Sequence, residues 1–188
     1  ESGKIELEEV ECSLSEIMHE LRNIFQADIM SKRLDFYIDT VDVFDENVIC
    51  DRLRLNQILL NILGNSVKFT EPGGSISIRI YQKPGKSEEY GKYEFHIKDT
   101  GIGMSEEFLA HIFEPFFTTK GGGMGTGLGL PEVYGIVLSA GGSLRVENRQ
   151  KGVCFYVFLP LVAAAEVPAA AEPCCGRLSA RILIADDD

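Results

Sequence analysis

Apolar and charged side chains alternate over residues 4–10, KIELEEV, and this period of two predicts a strand with Ile5 and Leu7 on one face. The period then lengthens. Leu14, Ile17, Met18, Leu21, Ile24 and Phe25 recur at helical spacing, and Ser13 followed by Glu16 has the form of a capping box. Alternation returns in LDFYIDT at 34–40, and NVIC at 47–50 predicts a short strand. From Asp51 a second helix is expected, DRLRLNQILLNILGNSVKF, with Leu55, Ile58, Leu59, Ile62 and Leu63 forming a broad apolar face. Gly64 inside it costs about 1 kcal/mol against alanine, which predicts a close neighbour at that point.

The turn EPGG leads into SISIRIY, and a polar loop separates it from KYEFHIK; Ile76, Ile78 and Ile80, then Tyr93, Phe95 and Ile97, alternate as in a hairpin. Residues 99–130 follow, DTGIGMSEEFLAHIFEPFFTTKGGGMGTGLGL, holding eight of the chain's 19 glycines in two clusters around a short aromatic segment. Glycine lets backbone approach a ligand closely, so the pattern predicts a mobile lid over a bound group. PEVYGIVLSAGG reads as a helix with proline in its first turn, and SLRVENR, the turn QKG and VCFYVFLP as a closing hairpin. Beyond Pro160 the composition shifts to VAAAEVPAAAEPCCG, a linker by its lack of periodicity, and RILIADDD reads as a buried-type strand ending in three carboxylates. The expected division is therefore a domain over 1–160, a linker over 161–179 and a strand over 180–188.

At 188 residues with 45% hydrophobic side chains, one ordinary domain plus a tail is expected. The formal charge of -11 argues against nucleic acid or an anionic membrane as the main partner, because both would be repelled over most of the surface. A nucleotide remains compatible if a metal ion and backbone N–H groups offset its charge. Cysteines 12, 50, 154, 174 and 175 form no CxxC pair and no metal or disulfide framework, which fits a reducing cytosol. With no signal peptide and no apolar run of spanning length, a soluble chain without membrane contact is expected, although a longer parent could be membrane-anchored elsewhere.

Three features carry candidate chemistry. Asp99 ends a strand and opens DTGIG; an ionised carboxylate only accepts hydrogen bonds and would suit the exocyclic amino group of adenine, whereas DxGxG by itself also begins ordinary turns. Gln57, Asn61, Asn65 and Lys68 fall along one stripe of the second helix. An amide oxygen of Asn65 is a hard ligand for Mg²⁺ and Lys68 could face phosphate; a solvated helix face is the plainer alternative. Gly125, Gly127 and Gly129 precede a helix whose free N–H groups and positive dipole end offer a phosphate site. The strand-first context of a dinucleotide fold is missing, and no GxxxxGK[ST] loop occurs.

Together NILGNSVKFT, DTGIGM, FEPFF and GTGLGL resemble, in order, the N box, first glycine box, phenylalanine box and second glycine box of the ATP-binding catalytic domain of a sensor histidine kinase, in the GHKL superfamily. The resemblance covers about Gly3 to Pro160. It implies an α/β (α+β) two-layer sandwich, the Bergerat ATP-binding fold, with a mixed, mostly antiparallel sheet packed on three main helices. It further implies that Asp99 binds adenine, that Asn65 holds Mg²⁺, that Asn61 and Lys68 face the phosphates and that Phe69 lies near the base. Gly101, Gly103 and Met104 would shape the base pocket; Gly125, Thr126, Gly127, Leu128, Gly129 and Leu130 would form the phosphate end. Lys120 would be the lid cation nearest the γ-phosphate.

The reaction implied is transfer of the γ-phosphoryl group of ATP to a histidine, with Asn61, Lys68 and Lys120 as the catalytic set. Such transfer depends on positioning and charge stabilisation. Related ATPases place a glutamate at the position of Asn61 to activate water, and asparagine cannot act as that base. The rival readings are a catalytically silent nucleotide-binding regulatory module and a GHKL-type ATPase. One departure is Gly152, Val153, Cys154, Phe155 where the family has GTxF, so a threonine hydroxyl near adenine is lost. Glu132 stands where the family's helix is often apolar.

HELRN at 19–23 resembles the start of the phosphoacceptor box, but it follows a strand within the catalytic domain and lacks the box's later proline. It is read as coincidence, and His96 and His111 as structural. The acceptor histidine is therefore expected on a separate dimerisation domain, making this chain a monomer and its parent a homodimer. RILIADDD resembles the first strand of a response-regulator receiver, where Asp186 and Asp187 would begin a Mg²⁺-binding pocket; the expectation is a hybrid kinase truncated there, with a receiver domain or response regulator as partner.

Overall fold

The computed structural model describes residues 8–84, 90–117 and 126–163. Its elements run β1 (Val10–Ser13), α1 (Leu14–Lys32), β2 (Asp35–Asp42), β3 (Asn47–Cys50), α2 (Arg52–Phe69), β4 (Ser75–Pro84), β5 (Tyr90–Asp99), α3 (Glu106–His111), α4 (Gly129–Ser139), β6 (Ser143–Asn148) and β7 (Val153–Ala163). Among the described residues β1 begins at Val10, the last residue of the alternation at 4–10, and runs on to Ser13. A strand exists only where a ladder can form, and the four-residue β3 pairs with Val10 through Ser13; residues 1–7 are outside the described set. The capping box is present: Ser13 Oγ accepts from Glu16 N at 3.3 Å.

Among the described residues seven strands form one sheet in the order β1-β3-β7-β5-β4-β2, with β6 also paired to β7. Only β2 and β4 run parallel; the other pairs are antiparallel. Leu21 of α1, Ile58, Leu59 and Ile62 of α2 and Val133 of α4 are buried with Ile76, Ile78, Phe95, Ile97 and Phe155 of the sheet, so three main helices cover one sheet face. Each such side chain contributes about 1.5–3 kcal/mol by leaving water. This is the mixed two-layer sandwich the sequence implies.

Three details differ from the sequence reading. β7 does not stop at Pro160: Val162 and Ala163 pair with Ile49 and Val48, and Leu161 is buried, so the first residues assigned to the linker belong to the sheet. A Cβ on Gly64 would meet nothing within 4 Å among the described residues, so no close neighbour accounts for that glycine. The segment 99–117 also contains a short helix, α3, started by Ser105, whose Oγ accepts from Phe108 N at 3.1 Å. Residues 164–188, with the rest of the expected linker, Cys174, Cys175 and the receiver-like strand, lie outside the described residues. Among the described residues no helix is long and apolar enough to cross a membrane. Cys12, Cys50 and Cys154 are buried free thiols, and burial raises the pKa of Cys50 and Cys154.

Candidate functional site

The end of α2 is fixed from three directions. Lys32, at the end of α1, donates from Nζ to the carbonyls of Val67, Lys68 and Thr70 at 2.7, 3.0 and 3.1 Å, which satisfies acceptors the helix leaves open and opposes its negative dipole end. Thr70 Oγ1 donates to Ser66 O at 2.6 Å. Ile102 N donates to Phe69 O at 3.3 Å, tying the loop after β5 to the same turn. The stripe of α2 is thereby set beside the end of β5.

Asp99 is the last residue of β5 and is 5% exposed. Its Oδ1 accepts from the backbone N–H of Gly101 at 3.0 Å and of Val153 at 3.2 Å, and its Oδ2 from Ser66 Oγ at 2.9 Å. A carboxylate offers about four lone-pair sites. Three are occupied, and the remaining one belongs to a group that also lines a cavity. Gly152 makes this arrangement possible: it has φ +77, and a Cβ there would lie 2.6 Å from the carbonyl carbon of Asp99.

The cavity, of about 570 Å³, is bounded by the α2 stripe, the loop after β5, α3 and the start of α4. Of the residues the resemblance singles out, Asn61, Asn65, Lys68, Phe69, Asp99, Gly103, Met104, Thr126, Gly127, Gly129 and Leu130 line it. No hydrogen bond engages the side chain of Asn61 or Asn65 among the described residues, and a Cβ on Gly129 would be 3.0 Å from Asn61 Oδ1. The first turn of α4 therefore sits directly against Asn61. Gln57, one turn back on the stripe, is not in the lining; its Nε2 donates to Glu132 Oε1 at 2.5 Å, and Arg54 donates to its Oε1. Glu132, an outlier in sequence, is thus the α4 end of a polar tie to α2.

Gly101 and Leu128 do not line the cavity: Gly101 contributes through its N–H on Asp99, and Leu128 is 42% exposed before α4. Lys120 and Gly125 lie outside the described residues. The phenylalanine box divides its work. Phe113 stacks on Tyr134 of α4 with centroids 4.8 Å apart, Phe117 packs on Phe108 and lines the cavity, and Phe116 is 74% exposed at φ +67. Of the adjacent pair Phe116 and Phe117 only Phe117 packs inward, because the turn at Phe116 aims its side chain outward. Phe116 N donates to Gly127 O at 3.0 Å, and a Cβ on Gly127, at φ +64, would lie 2.6 Å from the Phe116 carbonyl carbon, so the two ends of the predicted lid meet here.

Sequence reasoning missed Ser66 and Asn148. The Asn148 side chain accepts from Met104 N at 3.0 Å and donates to Met104 O at 2.6 Å, clamping the base-pocket loop to the end of β6. Serine within NILGNSVKFT was visible, but only its approach to Asp99 across 33 residues gives it meaning. Among the described residues no group of three or more His, Cys, Asp or Glu side chains could hold a metal ion.

Residues 50–163 match the family described as histidine kinase-, DNA gyrase B-, and HSP90-like ATPase. The chain is 33% identical over 166 residues to the sensory/regulatory protein RpfC of Xanthomonas campestris pv. campestris, which covers 86% of this chain and 23% of the relative. It therefore spans about a quarter of that protein's length. Among solved structures, the catalytic domain of histidine kinase ThkA superposes with a TM-score of 0.70 at 33% identity, covering 81% of this chain and 95% of that one. Full-length ShkA in complex with AMPPNP superposes with a TM-score of 0.73 at 27% identity, covering 87% and 33%. ThkA has also been solved in complex with the response regulator protein TrrA.

Proposed function

Because the chain belongs to the histidine kinase-, DNA gyrase B-, and HSP90-like ATPase family, we propose that it binds ATP with Mg²⁺ in the cavity beside Asp99 and transfers the γ-phosphoryl group to a histidine of a separate domain. The observation that carries this reading is the buried Asp99 carboxylate, held by three donors, across a cavity from two asparagine amides that have no hydrogen bond among the described residues. Its fourth acceptor site takes the exocyclic amino group of adenine, with Phe69 and Met104 against the base. Asn61 and Lys68 face the phosphates, together with Thr126, Gly127, Gly129 and the open N–H groups of α4. Lys120 and Gly125 complete the phosphate end from the segment beyond Phe117.

The donor set fits Mg²⁺. Among the described residues there is no carboxylate cluster, and an ion held at Asn65 would take one amide oxygen from the protein and the rest from phosphate and water, as Mg²⁺ tolerates. When bound it supplies neutralisation of charge on the transferred group. The residues themselves position: Asp99 fixes the base, and the amides and cations fix the phosphate chain. Asn61 has no proton-accepting power to activate water, which favours transfer over hydrolysis.

The acceptor lies on another, phosphoacceptor dimerisation domain. His19 is exposed on α1 and outside the cavity lining, and His111 Nδ1 is held at 2.8 Å from Glu114 Oε1. A receiver domain or response regulator follows as the downstream partner, within a cytoplasmic, homodimeric parent of which this chain is a monomeric part. The test is incubation of this chain with a purified acceptor-helix domain, Mg²⁺ and γ-labelled ATP. Acid-labile label on the acceptor histidine is expected, and its absence under every condition overturns the assignment.

A further inference from the structure

Helices α2 and α4 meet along two successive rungs. Gln57 and Asn61 are four residues apart on α2, and Gly129 and Glu132 three apart on α4, so each pair lies along one helix face. On the first rung Gln57 Nε2 donates to Glu132 Oε1 at 2.5 Å. On the second, a Cβ on Gly129 would stand 3.0 Å from Asn61 Oδ1, so the α4 backbone lies close against that amide. The second rung borders the cavity and the first lies outside its lining. Displacing Glu132 therefore displaces the backbone that faces Asn61.

Few local bonds fix the start of α4. Leu128 caps it without a side-chain hydrogen bond. The internal ladder opens with Glu132 N on Leu128 O at 3.0 Å, so helix geometry leaves the N–H groups of Gly129 and Leu130 to an outside acceptor, and Pro131 has none. Gly127 O accepts from Phe116 N at 3.0 Å, which ties the preceding turn to the glycine-framed loop rather than to α2. Burial of Val133, Ile136 and Val137 holds the helix beyond its first turn. Gln57 is itself oriented from behind. Arg54 Nη1 donates to its Oε1 at 2.9 Å, and Arg54 N donates to Oδ1 of Asp51, the α2 cap, at 2.9 Å. An amide turned the other way would set its NH2 group against the guanidinium and its oxygen against the carboxylate. Guanidinium, amide and carboxylate thus form one polarised chain that ends on the first turn of α4.

We propose that Glu132 is a positioning residue for the phosphate end of the site, holding the first turn of α4 at the distance from Asn61 that a nucleotide phosphate requires. This rests on the ATP reading given above. Glu132 is absent from the cavity lining, so it acts through Gly129 and Asn61 rather than by touching the nucleotide. A carboxylate in the first turn also matches the positive dipole end of the helix. The tie is exposed, and exposed polar pairs contribute little to global stability, so its effect is on local geometry.

The test is calorimetric titration of the chain with AMPPNP and Mg²⁺, with AMP as a competitor that reports the base end. Glu132→Ala is expected to lower AMPPNP affinity by roughly fivefold or more, about the worth of one charge-assisted hydrogen bond, with AMP affinity and the urea midpoint little changed. Gln57→Glu sets two carboxylates against each other and is expected to weaken AMPPNP likewise. Gln57→Glu combined with Glu132→Gln is expected to restore it, since the exchanged pair again joins Arg54 to α4. A purely structural role would move AMPPNP and AMP together. Equal loss for both nucleotides, unchanged AMPPNP affinity in Glu132→Ala, or an exchange that restores nothing overturns the proposal and leaves the ATP reading intact. Failure of the parent chain to bind AMPPNP overturns that reading and this proposal with it.

Discussion

Ser66 Oγ donates to Asp99 Oδ2 at 2.9 Å, with both side chains buried, so a hydroxyl from α2 fixes a carboxylate at the end of β5. Val153 approaches the same carboxylate with its N–H alone, because its side chain has no hydroxyl. The lost threonine of the GTxF element and the serine of α2 are two sides of one polar shell. Ser66→Ala is expected to cost about 1–2 kcal/mol of stability by urea unfolding, since a buried acceptor loses a partner. ATP affinity should fall several-fold. Val153→Thr supplies a hydroxyl from the other side, and we expect it to recover affinity more in the Ser66→Ala background than alone. Additive effects in that double-mutant cycle would contradict the shared role.

Gly152→Ala tests the backbone beneath the site. At φ +77, with Asp99 main chain where a Cβ would go, alanine forces β7 away from β5. The expected loss is about 2–4 kcal/mol, in the range of strain plus overpacking. A melting temperature equal to that of the parent would show that the turn relaxes freely.

Much of this fold was legible because the periods were clean. Ile76, Ile78 and Ile80 alternate in a strand half-buried on one face, and Leu55, Ile58, Leu59 and Ile62 keep helical spacing, so pattern and burial agree. Asn61, Asn65 and Lys68 were legible as a stripe because helix geometry alone puts them together. The extension of β1 from Val10 to Ser13 was hidden because it comes from pairing with β3, and β7 was cut at Pro160 because small residues hid its pairing. Ser66, Asn148 and Lys32 act through partners at least 33 positions away, and local pattern carries no trace of such contacts.

The acid side of the stability profile is expected to depend on His96 and Glu94. Burial holds the His96 pKa below its ordinary value, against the pull of Glu94, with Lys83 and Arg145 adding to the depression. The unfolded chain therefore binds the proton first, and stability falls as pH drops through the histidine range below about 6.5. Burial would raise Glu94, but Lys83 and Lys92 outweigh it and lower its pKa, so its contribution is kept above the carboxylate range and lost on acidification through its folded pKa. Urea titrations from pH 7.5 to pH 5.5, set on either side of about 6.5, should show a decline that His96→Phe flattens. An unchanged slope in that variant would remove His96 from the account.

Asn65→Ala should act chiefly on the metal. We expect ATP binding without Mg²⁺ to change little, while the gain in affinity on adding Mg²⁺ shrinks by roughly tenfold, about the worth of one charge-assisted contact. Equal loss with and without the ion would assign Asn65 to the nucleotide instead.

The central claim is that Asp99 anchors the adenine of ATP in the cavity between α2 and α4. Calorimetric titration of the chain and of Asp99→Asn with AMPPNP and Mg²⁺, beside circular dichroism of both, tests it most directly. We predict saturable binding by the parent and a loss of roughly tenfold or more in the variant, as one buried charge-assisted hydrogen bond implies, with helix and strand content unchanged. Equal affinity in the two proteins would contradict the account.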